Sequence, residues 1–118
     1  MCPIKFAMPF VIEKSGSALI CQPEGLVNSA NAAVFEADLM AQVEKGERHI
    51  VLDLARLNYI SSAGLRVVLL LAKKLKQADG ALILCDIQPN VREVFEISGF
   101  LAILKVCETR AEAIAAFN

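Results

Sequence analysis

The chain has 118 residues, enough for one domain of ordinary size and too few for two. Its hydrophobic share of 56% against 21% charged excludes a disordered chain and supplies a real core. Twelve Lys and Arg against thirteen Asp and Glu give a formal charge of −1, which excludes the net basic footprint of a nucleic-acid binder and of a protein held on anionic lipid by its basic residues.

Two β-prone runs, Phe10–Lys14 and Ala18–Cys21, flank Ser15-Gly16-Ser17, and glycine between such runs signals a hairpin. Pro23 and Gly25 close the second run. From Asn28 the period becomes helical: Ala32, Phe35, Leu39 and Val43 fall on one face, with Asn28 or Ser29 as N-cap and Gly46 at the C-terminus. His49–Leu54 has the near-continuous apolar character of a strand buried on both faces. A second helix is predicted from about Ser62 to Gln77, broken by Asp79-Gly80, and Ala81–Ile87 reads as another buried strand. Pro89-Asn90 opens a third helix carrying Val91, Val94 and Phe95, which Gly99 stops. Leu101–Val106 is predicted as a last short strand. Thr109 and Glu112 then form a capping box ahead of a final helix bearing Ala113, Ile114 and Phe117.

Strands separated by single helices need crossover connections, which favour parallel pairing. The expected fold is therefore a single α/β domain over residues 1–118: a mixed sheet, with an antiparallel N-terminal hairpin and parallel strands, packed with about four helices. The longest dense apolar stretch, Val67–Ala72, is far short of the roughly 20 residues that cross a bilayer. The N-terminus has no basic region followed by a long apolar core. Together these point to a cytoplasmic protein without a membrane segment.

Enzyme motifs are missing: the chain has no P-loop, no G-x-G-x-x-G and no G-x-S-x-G. A Ser/His/Asp triad would have to use His49, the only histidine, which begins a strand. Glu47 and Asp53 are single carboxylates near strand ends, where solvation or capping is the usual role. Cys2, Cys21, Cys85 and Cys107 show no C-x-x-C spacing, so they are read as reduced and mostly buried, and neither a metal nor a cofactor is expected.

The informative segment is Asn58–Leu71, NYISSAGLRVVLLL. Ser62 falls at a helix start and is expected to act as the N-cap, with small neighbours Ala63 and Gly64 leaving its hydroxyl open. A phosphate there would meet the positive end of the helix dipole and free backbone N–H groups. Leu65, Val68, Leu69, Ala72 and Leu75 can face the sheet, which leaves Val67, Leu70 and Leu71 partly on other faces, as a deeply buried helix or as a docking ridge beside Ser62.

Val51-Leu52-Asp53-Leu54, a short loop, and Tyr59-Ile60-Ser61-Ser62-Ala63-Gly64-Leu65 together resemble the signature of STAS domains, the family named for sulfate transporters and anti-sigma factor antagonists. Gly25-Leu26-Val27-Asn28, Gly80, Val91 to Gly99-Phe100 and Glu112-Ala113 are similar to the family pattern in place. The resemblance implies an α/β sandwich and a non-enzymatic anti-sigma factor antagonist. Unmodified, such a protein binds an anti-sigma factor that is also a serine kinase of the histidine-kinase-like ATPase fold. Phosphorylation by that kinase releases it, and a metal-dependent serine phosphatase resets it. The phosphorylated position corresponds to Ser62, with Ser61 as second choice. The implied partner-binding set is Asn28, Asp53, Ser61, Ser62, Ala63, Gly64, Arg66, Val67 and Leu70. Ser61 and Asn28 stand where many members have Asp, so each lacks a negative charge near Ser62. A homodimer is left open. The alternative function is a phosphorylation-independent STAS adaptor of an ABC-type lipid transport system.

Overall fold

Gly16 turns the chain back at φ 60°, and strands β1 (Phe10–Ser15) and β2 (Ala18–Pro23) pair antiparallel around it. The computed structural model describes residues 10–117, so Cys2 and the rest of the N-terminal segment lie outside the described residues. After β2 follow β3 (Gly25–Val27), α1 (Ala32–Glu44), β4 (His49–Asp53), β5 (Leu57–Ile60) and α2 (Ser62–Gln77). The chain continues through β6 (Ala81–Cys85), α3 (Pro89–Ile97), a single 3₁₀ turn at Phe100–Ala102, β7 (Lys105–Cys107) and α4 (Arg110–Phe117).

The main sheet has the order β1-β2-β4-β6-β7, antiparallel at β1–β2 and parallel elsewhere. This is the mixed α/β architecture expected from the order of elements. Three departures stand out. The short runs Gly25–Val27 and Leu57–Ile60 are strands, and they pair parallel with each other as a separate ribbon. The last strand begins at Lys105, because the residues from Phe100 wind into a 3₁₀ turn first. Finally, α1 begins at Ala32, with Asn31 rather than Asn28 or Ser29 at the capping position.

Strand alternation divides the core into two layers. Ile50, Leu52, Leu82 and Leu84 face α1, α2 and α3, meeting Phe35, Leu39, Val68, Leu71, Val91 and Phe95. Val51, Ile83 and Cys85 face the other way, toward Ala113 of α4. The capping box holds α4 in place: Thr109 Oγ1 accepts from the Glu112 N–H at 3.1 Å, and Glu112 Oε1 accepts from the Thr109 N–H at 3.4 Å. His49 stacks on Phe117 with ring centroids 4.7 Å apart, so the only histidine is a packing residue of this layer.

The α2–β6 turn depends on Gly80. A Cβ there would lie 2.2 Å from the Arg48 carbonyl oxygen, a clash that no side chain could relieve.

Among the described residues Asp53 is the single buried charged one, and α4 supplies its partner. Arg110 Nε donates to Asp53 Oδ2 at 2.7 Å, and the Ala55 N–H donates to Asp53 Oδ1 at 2.9 Å. The same guanidinium also pairs with Glu13 of β1, so one side chain ties α4 to the sheet's centre and to its edge. Removing one member of a buried pair strands the other charge, at about 3–5 kcal/mol. We expect Arg110→Ala to lose at least ~3 kcal/mol in urea unfolding, and Asp53→Asn added to it to recover part of that loss.

Burial pushes the Cys21 and Cys85 thiols up to about 12, with nearby carboxylates adding to the effect. The folded state therefore keeps protons that the unfolded state loses above its ordinary thiol range. Stability falls as pH rises from about 9 toward 12. In urea melts at rising pH, replacing both thiols with alanine should flatten that decline relative to the parent chain.

Candidate functional site

The site is built where α2 meets the β3–β5 ribbon. Val27 and Ile60 are register partners, and the Ser61 N–H continues the pairing by donating to the Val27 carbonyl at 2.8 Å. Ser61 then caps the helix: its Oγ accepts from the Gly64 N–H at 3.3 Å, and its carbonyl accepts from the Leu65 N–H at 2.9 Å. The N-cap is thus Ser61 and not Ser62, a correction of one residue to the sequence reading. The reason is that Ser61 keeps the extended backbone of the strand, which frees Ser62 to be the first helical residue.

Gly64 sits directly under this corner. A Cβ on it would come within 2.7 Å of Ile60 Cγ1 and 2.8 Å of Val27 Cγ1, so the helix can lie this close to the ribbon only with glycine. The opposing loop is fixed as well. Asn28 Oδ1 accepts from the Ala30 and Asn31 N–H groups, Asn31 Oδ1 accepts from the Asn28 N–H, and Asn31 Nδ2 donates to the Leu26 carbonyl.

Ser62 is exposed, and among the described residues its hydroxyl has no hydrogen-bond partner. Among the described residues the backbone N–H groups of Ser62 and Ala63, the first donors of the helix, have no partner. The site is therefore a rigid corner that presents one unengaged hydroxyl at the positive end of a helix of 16 residues.

The residues predicted for partner binding divide into three groups. Asn28, Ser61, Ser62 and Ala63 lie together at the corner, and Arg66 and Leu70 continue from Ser62 along one exposed stripe of α2 at four-residue spacing. Gly64 and Val67 are buried, Val67 at 3% exposure, and cannot touch a partner. Leu71 is buried too, so the expected docking ridge on α2 reduces to Leu70. The cause is α1, which packs against α2 on the side a two-layer estimate leaves open. Asp53 points to the α4 face of the sheet, where Arg110 holds it.

Two candidates escaped sequence reading. Leu26 and Tyr59 are register partners on the ribbon, and both are exposed, at 45% and 50%. They form an apolar, aromatic-bearing patch next to Ser61 and Ser62. The alternation Leu-Val and Tyr-Ile, outward then inward, was the available signal, but each run is too short to mark a strand.

Asp53, Cys85 and Asp86 bring ligand atoms within 4.8 Å of one another. Arg110 already engages them: its side chain holds Asp53, and its backbone N–H donates to Asp86 Oδ2 at 3.0 Å. The Cys85 thiol, pushed up to about 12 chiefly by burial, is neutral there. This cluster serves the α4 attachment.

Residues 9–113 match the STAS domain family. The chain belongs to that family. It is 60% identical over 111 residues to BtrV of Bordetella bronchiseptica, named as an anti-sigma factor antagonist, covering 94% of this chain and 96% of that one. An anti-sigma F factor antagonist of Paenibacillus polymyxa is 33% identical over 66 residues, 56% of each chain. Among solved structures, a Thermotoga maritima protein described as an anti-sigma factor antagonist superposes with a TM-score of 0.84 at 24% identity, covering 92% of each chain. Unphosphorylated SpoIIAA gives 0.78 at 24% identity, over 92% of this chain and 96% of that one. These superpositions establish the STAS fold. No helix among the described residues is long and apolar enough to cross a membrane.

The capping geometry separates the two serines. Ser61→Ala should cost about 1 kcal/mol by removing the cap, whereas Ser62→Ala should stay within about 0.5 kcal/mol of the parent in denaturant melts.

Proposed function

We propose that this STAS protein is an anti-sigma factor antagonist that works by phosphorylation-controlled partner switching at Ser62. The 60% identity to BtrV across nearly the whole chain supports the antagonist role. The observation that carries the choice of residue is the exposed, unengaged Ser62 hydroxyl, beside a Ser61 hydroxyl already committed to the helix cap. The partner is an anti-sigma factor with serine kinase activity of the histidine-kinase-like ATPase fold, and a metal-dependent serine phosphatase restores the binding form. The chain itself acts by binding and not by turnover, within the cytoplasm. The adaptor role in an ABC-type lipid transport system is not favoured, since the relatives carry antagonist names.

In this reading the partner covers Ser62, Arg66 and Leu70 of α2, the Asn28 turn, and the Leu26–Tyr59 patch. A phosphate adds about −1.5 to −2 charge to that contact. The helix start tolerates the charge, because the dipole and two free N–H groups favour an anion there. The partner interface does not tolerate it, since it closes over a neutral hydroxyl and would have to desolvate a dianion. The fold therefore survives modification and the complex does not.

Three chains tested against the cognate anti-sigma factor separate the outcomes. Ser62→Asp should weaken binding at least about a hundredfold, roughly 2.7 kcal/mol. Ser62→Ala should bind and resist release by ATP, while the parent chain is released with one phosphate mapped to Ser62 by mass spectrometry. Equal binding by the Ala and Asp variants, or a phosphate mapped to Ser61, would refute the assignment.

A further inference from the structure

A groove of about 610 Å³ opens beside the C-terminal half of α2. It lies at the far end of the helix from Ser62, about 16 Å along the axis at Lys73. Leu69 and Ala72 of α2, Leu82 at the start of β6, and Leu104 form its walls. Ile103 stands at the mouth with 71% of its surface exposed, an unusual position for a large aliphatic side chain. The groove opens where β7 pairs with β6 only from Ile83 onward, leaving Ala81 and Leu82 without a strand neighbour on that side, and Gly80 and Ala81 add little bulk there.

Its charge is one-sided. Lys73, Lys76 and Lys105 are its charged lining residues, with no carboxylate among its lining, and Lys73 also borders the α1–α2 hollow lined by Glu36 and Glu44. Lys14, Arg56, Arg92 and Arg110 have ion-pair partners, whereas none of these three lysines has one among the described residues. An apolar trough with several cations on its rim calls for a ligand with the opposite pattern. A small inorganic anion would leave the exposed Ile103 side chain and the apolar edge of α2 wet. A neutral hydrocarbon would make no use of the lysines. A second copy of the chain on a two-fold axis would press the three cations against themselves.

We propose that this groove binds a single-chain anionic amphiphile, a medium-chain fatty carboxylate, with its chain between Ile103 and the Leu69–Ala72 side of α2 and its headgroup among Lys73, Lys76 and Lys105. The site uses none of the residues assigned to partner switching, so its test is independent of that reading.

The experiment is a ¹⁵N-NMR titration of the full chain with sodium octanoate, decanoate and dodecanoate, each below its micelle concentration. Saturable shifts are expected at Leu82, Ile103, Leu104 and Lys105, with affinity rising about fourfold per methylene. Dodecyltrimethylammonium should bind at least tenfold more weakly than dodecanoate, and phosphate should leave these resonances in place. The Lys73→Gln, Lys105→Gln double variant should lose at least tenfold in dodecanoate affinity while keeping a native spectrum. Ala72→Phe, which fills the trough, gives a second route to the same loss. Equal binding of the cationic and anionic amphiphiles, or shifts confined to the α1–α2 face, would overturn the proposal. Shifts with phosphate alone would replace it with a simple anion site. Concentration-dependent broadening at these residues without ligand would replace it with self-association, and tighter binding of an acidic amphipathic peptide with a protein segment.

Discussion

The hydrogen bond from the Ser61 N–H to the Val27 carbonyl, at 2.8 Å, is the joint on which the functional end of the molecule is assembled. It continues the β3–β5 ribbon by one residue and stops, because the next residue is already helical. The strand-like backbone of Ser61 turns its hydroxyl back onto the Gly64 N–H, and the missing Cβ of Gly64 lets the helix settle against Val27 and Ile60. With those contacts in place Ser62 has only one direction left, outward. The helix start is locked by its neighbours, so its most exposed hydroxyl is also among its better positioned groups. That combination suits a residue that another protein must find and modify.

The two faces of the main sheet divide the work. The face under α1, α2 and α3 carries most of the core and the Ser62 corner. The opposite face is smaller and is held partly by polar means, through Arg110 between Asp53 and Glu13. A charge change at Ser62 is therefore insulated from the charge pair that anchors α4, with the apolar middle of the sheet between them. This insulation lets a surface carry two states while the fold has one. The requirement is modest, since the phosphate has only to make one contact surface unfavourable and need not move a helix.

The main-sheet strands and the four helices were legible in the sequence, α1 and α3 because their buried residues fall at helical spacing, and β4 because its near-continuous apolar run marks a strand covered on both faces. The ribbon was not legible. Gly25–Val27 and Leu57–Ile60 each show too few residues for alternation to register, and their pairing is non-local. That failure carried through to the site: without the ribbon, Ser61 has no strand to belong to, and the cap falls on Ser62. The α2 faces were misjudged for a related reason. A helix packed on a sheet alone would expose Val67 and Leu71, but α1 covers that side, and helix-on-helix packing within a layer leaves no mark in the period of one helix. Tyr59 and Leu26 could be recognised as surface residues only once the ribbon fixed which way they point.

Asn28 and Ser61, which the resemblance sets against Asp in one form of the family signature, have a physical reading in this structure. Both side chains act as local acceptors: Asn28 Oδ1 for the N–H groups of its turn, and Ser61 Oγ for the N–H of Gly64. Asp, Asn and Ser all fill such positions well, so exchanging Asp for either one preserves the geometry of the corner. What changes is charge. An acid at each position would place two anions beside the Ser62 hydroxyl, opposing the arrival of a third. With Asn and Ser there, neither position carries a charge, and Arg66 stands one helical turn from Ser62 on the same exposed stripe. A phosphate on Ser62 would thus be more comfortable on this isolated domain than beside two acids, and in the proposed switch its release rests on the desolvation the partner contact imposes. If Ser62 is the modified residue, as proposed, the surface that closes over it determines switching, and a partner suited to the acidic version of the corner would meet a less negative target here.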